Sequence, residues 1–231
     1  MGSYQSSGKE NADKIIITQK NIIYSLDNKN NLASVIGNEN ANGAIFIPRS
    51  IKYKRKEYYI TKISKKSFIG SKTIKSIYFP PDSLIQIIER KAFEGSSIES
   101  IIIPSQVIRI CSCTFDYCEK IHNIWFTSDS KLQTIGGYAF SFSAIKNIEI
   151  PSKVINLEGG WCYGMRYLKK ITINSNNEYY KNYEENDQLI IGKSDQKSDE
   201  YDTLVFVDRN LKKVIIPPFI KRIAPYAFSE S

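Results

Sequence analysis

The side chains able to do chemistry are few, and their spacing gives little support to catalysis. His122 is the only histidine among 231 residues. A centre built on two or three imidazoles, as most catalytic zinc sites are, is therefore excluded. A nucleophile–histidine relay would have to run through His122. Cys111-x-Cys113-x4-Cys118-x3-His122 offers three thiols and an imidazole, a set that could hold zinc. The fourth cysteine is Cys162, and four cysteines allow three disulfide pairings that the sequence leaves open. No glycine-rich phosphate loop and no Gly-x-Ser-x-Gly elbow is present. Carboxylate pairs such as Glu184-Glu185 lie in polar stretches without an apolar setting to tune them. The expectation is a protein with no catalytic residue, no metal and no cofactor.

Charge is the second resource. The net charge is +8, unevenly distributed. Lys52, Lys54, Arg55, Lys56, Lys62, Lys65, Lys66, Lys72 and Lys75 face Glu57 alone, so residues 52–75 carry the equivalent of the whole surplus. Residues 178–202 carry −5. Within Lys52-Tyr-Lys-Arg-Lys-Glu-Tyr-Tyr59 charge and aromatics interleave, which suits a sulfated glycan or another polyanion. Lys52, Lys54, Arg55, Lys56, Lys62, Lys65 and Lys66 form the candidate patch. The same stretch also reads as a hairpin, with Ile51 and Tyr53 pairing with Tyr58 and Ile60 around a charged tip, and nucleic acid is not the expected partner.

The elements that must position these residues come from an internal repeat. Apolar anchors stand at Ile74, Ile98, Ile121, Ile145 and Leu168, with spacings of 24, 23, 24 and 23. Three residues after each comes Ile77, Ile101, Ile124, Ile148 or Ile171; two further on comes Phe79, Ile103, Phe126, Ile150 or Ile173. The next position holds Pro80, Pro104, Thr127, Pro151 or Asn174. A final copy reads Leu211, Val214, Ile216, Pro217, and a first is visible at Ile45, Ile47, Pro48. The second half of each unit pairs an apolar residue with a bulky one five positions on: Ile63/Phe68, Ile88/Phe93, Ile110/Phe115, Ile135/Phe140 and Ile223/Phe228. Leu157 with Trp161-Cys162 is a degraded copy.

A period of 20–29 residues with this pattern is that of a leucine-rich repeat. Each unit supplies a short strand whose first, fourth and sixth residues point inward, and proline ends the strand. Isoleucine outnumbers leucine 38 to 9, which also favours strands. No single unit can bury enough to fold, so the coils must stack. Cys118 then falls just before anchor Ile121, and Cys162 at a core position, which argues against the zinc reading.

Ile98-x-x-Ile101-x-Ile103-Pro104, Val107-x-x-Ile110 and Thr114-Phe115-x-x-Cys118-x-x-Ile121 resemble the BspA-like leucine-rich repeat surface antigens of bacteria and protists. The resemblance covers about residues 43–231, with Thr127, Asn174 and Cys162 as departures. It implies adhesion or protein interaction at a cell surface, without catalysis. The expected architecture is a mainly β leucine-rich repeat solenoid. It is a curved right-handed coil of 23/24-residue units, with a parallel sheet on one face and an N-terminal β-hairpin cap.

Five segments are expected. Residues 1–12 form a disordered tail, 13–42 the β cap and 43–174 the repeats. Residues 175–210 form an irregular island, with strands at 189–191 and 204–207 around a polar loop, and 211–231 the final repeat. The parallel strands should lie near 74–79, 98–103, 121–126, 145–150, 168–173 and 211–216. No apolar stretch is long enough to span a membrane, and residues 1–10 lack the apolar core of a signal peptide. The location expected from the resemblance is the cell surface or the medium, with a cytoplasmic interaction scaffold as the alternative.

In this register the fifth residue of each strand lies between two inward residues and must point outward. That column reads Tyr78, Ile102, Trp125, Glu149 and Thr172; the second residue of each strand adds His122, Lys146 and Lys169. Coils about 4.8 Å apart make Tyr78, Ile102 and Trp125 an exposed apolar ladder. Such a ladder with a polar rim suits a protein or matrix partner.

Overall fold

The computed structural model describes residues 14–184 and 186–228. The tail read at 1–12 lies outside them, as do the last three residues of the final repeat. Every regular element among the described residues is a strand.

A meander of β1 (Lys14–Gln19), β2 (Ile22–Asp27) and β3 (Leu32–Asn38) opens the chain. Next come β4 (Gly43–Phe46), β5 (Ser50–Tyr53) and β6 (Lys56–Ile63). Longer and two-residue strands then alternate: β7 (Ile74–Tyr78), β8 (Ile87–Ile88), β9 (Ser100–Ile103), β10 (Arg109–Ile110), β11 (Asn123–Phe126), β12 (Thr134–Ile135), β13 (Asn147–Ile150), β14 (Asn156–Leu157) and β15 (Lys170–Ile173). The last are β16 (Tyr180–Tyr183), β17 (Asn186–Gly192), β18 (Thr203–Val207) and β19 (Arg222–Ile223).

Each coil contributes to two ladders. The longer strands pair in parallel in the orders β4-β7-β9-β11 and β13-β15. Their anchors are in register: Ile77 opposite Ile101, Ile101 opposite Ile124, Ile148 opposite Ile171. The repeat's second half forms a ladder of its own, with Ile63, Ile88, Ile110, Ile135 and Leu157 side by side in β6, β8, β10, β12 and β14. β3 joins this second sheet through parallel pairing with β6, so the N-terminal meander continues it and not the first.

Between the two ladders lies the core. Phe68, Phe93, Phe115 and Phe140 are fully buried and stack at 5.2, 5.1 and 5.6 Å. The degraded unit keeps the column filled: Cys162 takes the Phe position, and the Trp161 ring, one residue earlier, packs edge-on against Phe140 at 6.3 Å.

Three expectations change. Leu211–Ile216 forms no strand. Asn182 explains why: its side-chain amide accepts from Ile173 N at 2.9 Å and donates to Ile171 O at 3.1 Å. It thereby occupies the edge of β15 that a following strand would need. β16, β17 and β18 form an antiparallel sheet after it, with β19 parallel to β18. Secondly, Ile223 and Phe228 do not fill a core: they are 53% and 37% exposed, whereas Ile135 and Phe140 are fully buried. Thirdly, the β5–β6 hairpin pairs Ile51 with Tyr58 but sets Tyr53 against Lys56. Its two-residue turn, Lys54-Arg55, is left-handed at both positions (φ 46° and 64°) and fixes that register.

Candidate functional site

The face of the β4-β7-β9-β11 sheet is where backbone alternation and coil stacking combine. Ile77, Ile101 and Ile124 are buried, as are Ile103 and Ile45. The residues between them must turn out. Tyr78 is 55% exposed, Ile102 52% and Trp125 50%. Trp125 lies directly opposite Ile102 in the ladder.

A fourth rung, Phe46, was not among the expected residues. It is 56% exposed and opposite Tyr78. The signal was present, because Ile45-x-Ile47-Pro48 ends the first copy of the motif and places Phe46 in the same column. Four apolar side chains thus stand in line across four adjacent coils.

The column then turns polar. Glu149 faces Thr172 across β13 and β15 and accepts a hydrogen bond from Asn174 Nδ2 at 3.0 Å. His122, Lys146 and Lys169 are exposed at the starts of successive strands. Their backbones link successive coils: His122 N donates to Glu99 O, and Lys169 N to Lys146 O. The strand face therefore offers an apolar strip at its N-terminal end and lysines at the other.

The basic patch is divided. Lys52, Lys54, Arg55, Lys65 and Lys66 are exposed, but Lys56 and Lys62 are half-buried. Lys56 Nζ donates to Asn28 O at 2.6 Å and to Asn28 Oδ1 at 2.9 Å. Lys62 pairs with Glu89 at 3.2 Å. The Lys54 ammonium lies 5.3 Å from the Tyr53 ring centroid. The hairpin tip and Lys65-Lys66 are the parts of the patch open to a polyanion.

Cys111, Cys113, Cys118 and His122 are not brought together; among the described residues no three His, Cys, Asp or Glu side chains are placed to hold a metal. Cys118 is in the core, its Sγ donating to Phe93 O at 3.0 Å, and burial pushes its thiol up to about 11. Burial pushes Cys162 to about 12. Thiols so shifted are poor nucleophiles at neutral pH.

Past β15, Lys181 and Tyr201 of the irregular segment and Phe219 and Lys221 of the last repeat line an opening of about 500 Å³.

A family model of the BspA type leucine-rich repeat region, in six copies, matches residues 45–163 and 126–231. No curated protein matches the chain. Among solved structures, the pneumococcal vaccine antigen PcpA superposes with a TM-score of 0.74 at 21% identity, over 93% of this chain and 62% of that one. A leucine-rich repeat protein from Bacteroides ovatus gives 0.65 at 22%, over 92% and 50%. A leucine-rich cell surface protein from Faecalibacterium prausnitzii gives 0.58 at 18%, over 94% and 68%. The chain therefore spans less than two thirds of the PcpA and Bacteroides chains, and at these identities the likeness is one of fold. With repeat register, paired ladders and family model in agreement, the chain belongs to the BspA-type leucine-rich repeat family.

Proposed function

We propose that the protein is a non-enzymatic adhesion or host-interaction module of the cell surface, and that it binds a protein or matrix partner through the strand face. One observation carries this reading. Phe46, Tyr78, Ile102 and Trp125 form a continuous exposed apolar strip at positions where the solenoid needs no apolar residue. Water disfavours such a strip unless a partner covers it. Glu149, Thr172, His122, Lys146 and Lys169 then serve as its polar extension. Descriptions of two structural neighbours as a vaccine antigen and a cell surface protein support the location. In this reading residues 13–42 act as a cap, 43–174 as the binding array, 175–210 as an irregular insertion and 211–231 as a further repeat.

The test is Trp125→Ala. Half of its surface is already in water, so unfolding stability should fall by only about 1 kcal/mol, as at other surface sites. Binding of the labelled protein to intact host cells should weaken by about 2 kcal/mol or more, because Trp is a frequent hot-spot residue. Unimpaired cell binding by a stably folded Trp125→Ala protein would refute the proposal.

A second reading rests on the Lys54-Arg55 turn, which holds two exposed cations at a hairpin tip. It assigns Lys52, Lys54, Arg55, Lys65 and Lys66 to a sulfated glycan of the matrix, with Lys56 and Lys62 contributing less because they are already paired.

A further inference from the structure

The first sheet ends at β4, which among the described residues pairs with β7 alone. Gly43 N and Ile47 N donate to Thr73 O and Tyr78 O at 2.8 and 3.0 Å, so the backbone groups of Ala44 and Phe46, alternating with them, face the other way. Both residues are exposed. The N-terminal meander does not cover this edge, because it extends the other sheet through β3 and β6. Nor does β4 carry a charged residue, a common device for protecting an edge.

An edge of this kind is a ready template for an extended backbone that adds a strand. Its apolar side chains would continue the row that runs from Trp125 through Ile102 and Tyr78 to Phe46. Charge narrows the partner further. Lys72 and Lys75 are exposed at the start of neighbouring β7, within the segment 52–75 that carries +8. A second copy of this chain, pairing β4 with β4, would bring two such segments together, whereas an acidic strand would be attracted.

We infer that the outer edge of β4 docks an extended segment of a partner protein, apolar at alternate positions and acidic at its flanks. The inference rests on the strand-face reading and specifies how that face is engaged.

The probe is a fluorescein-labelled peptide of about eight residues, a usual strand length, with valine at alternate central positions and glutamates at both ends. Its controls carry lysines at the ends or N-methylated amides along one edge. Binding to the full chain is read by fluorescence anisotropy. Phe46→Ala removes the ring; Phe46→Pro removes the ring and the outward N–H, and proline is tolerated at edge positions of this kind. The acidic peptide should bind the native protein better than its lysine twin. Phe46→Pro should bind about tenfold more weakly than Phe46→Ala, the equivalent of one hydrogen bond. Equal affinity of folded Ala and Pro variants would overturn the inference, as would equal binding of the acidic and lysine peptides. If the Pro variant fails to fold, the N-methylated peptide decides on the native protein: undiminished binding overturns the inference, and loss of binding supports it. The two proposals fail separately, since loss of cell binding by Trp125→Ala alongside a negative peptide result leaves the face and removes only the edge.

Discussion

Phe115→Ala tests the stacked-coil core at its centre. The Phe115 ring is fully buried between Phe93 at 5.1 Å and Phe140 at 5.6 Å, with interplanar angles of 4° and 13°. Truncating a core phenylalanine costs about 3–5 kcal/mol. Here both ring faces lose a partner, and each aromatic contact is worth about 0.5–1.5 kcal/mol beyond area. The loss should therefore lie near the top of that range. Phe228 is the same residue at the same position of the repeat, but 37% exposed. Its truncation should cost about 1–2 kcal/mol, because its burial is incomplete. Guanidinium unfolding followed by circular dichroism gives both numbers, provided the denaturant slope stays constant. Equal losses, or less than about 2 kcal/mol at Phe115, would mean that the stack is not what holds the coils together.

Replacing Lys54, Arg55 and Lys56 by Ser should lower the salt needed to elute the protein from heparin, with Lys54 and Arg55 contributing most; unchanged elution would leave the hairpin tip as a solvated turn. Burial raises the Asp202 carboxyl, but hydrogen bonds from Ser194 and Thr203 outweigh this and hold it below its usual range. Its contribution to stability is therefore present above the unfolded carboxylate pKa and lost as pH falls through the lower folded value. Asp202→Asn should remove that part of the acid limb of stability against pH, and an unaltered profile would contradict the assignment. Gly164→Ala would set a Cβ 2.6 Å from the Phe142 ring in a left-handed backbone (φ 67°), whereas Gly70→Ala (φ 63°) meets nothing within 4 Å. Calorimetry should show about 1 kcal/mol lost at Gly70, the cost of the backbone conformation alone, and clearly more at Gly164; equal losses would show that the ring gives way freely.

The coil was legible because its signal is local. Inward anchors such as Ile98, Ile101 and Ile103 recur at fixed offsets, and a strand's period of two converts those offsets directly into facing. The outward column followed from the same rule, and Phe46 was equally readable once the first copy was traced back to Ile45. The failure at 211–216 has a different origin. Leu211, Val214 and Ile216 repeat the anchor pattern, yet a strand also needs a neighbour with a free edge. That edge is taken by the Asn182 side chain, about thirty residues earlier in the chain. No pattern within 211–216 contains that information. The division of the basic patch was hidden likewise, because Asn28 and Glu89, which engage Lys56 and Lys62, are remote in sequence.

The turns show how one coil constrains the next. Left-handed residues recur four apart: Lys66 and Gly70, Lys91 and Gly95, Cys113 and Tyr117, Tyr138 and Phe142, Gly160 and Gly164. Glycine suits every one of these positions, and an aromatic there costs about 1–2 kcal/mol of backbone strain. Ring contacts offset the strain. Tyr117 stacks on Phe142 at 4.5 Å, Phe142 meets Tyr163 at 5.5 Å, and Tyr138 meets Tyr163 at 6.0 Å and Tyr226 at 5.6 Å. The Tyr138 and Phe142 rings lean over the following coil, and glycine there is favoured for a second reason. A Cβ on Gly160 would stand 3.0 Å from Tyr138, and one on Gly164 would meet Phe142. Along these two columns the aromatics Tyr138 and Phe142 are thus followed by Gly160 and Gly164, which leave room for their rings. Tyr226 carries the ridge past the irregular segment to the last coil, where no strand of 211–216 joins the first sheet. There the backbone of β19 pairs with β18, and the Tyr226 ring adds a second tie by packing against Tyr138 and Tyr163 of the earlier coils.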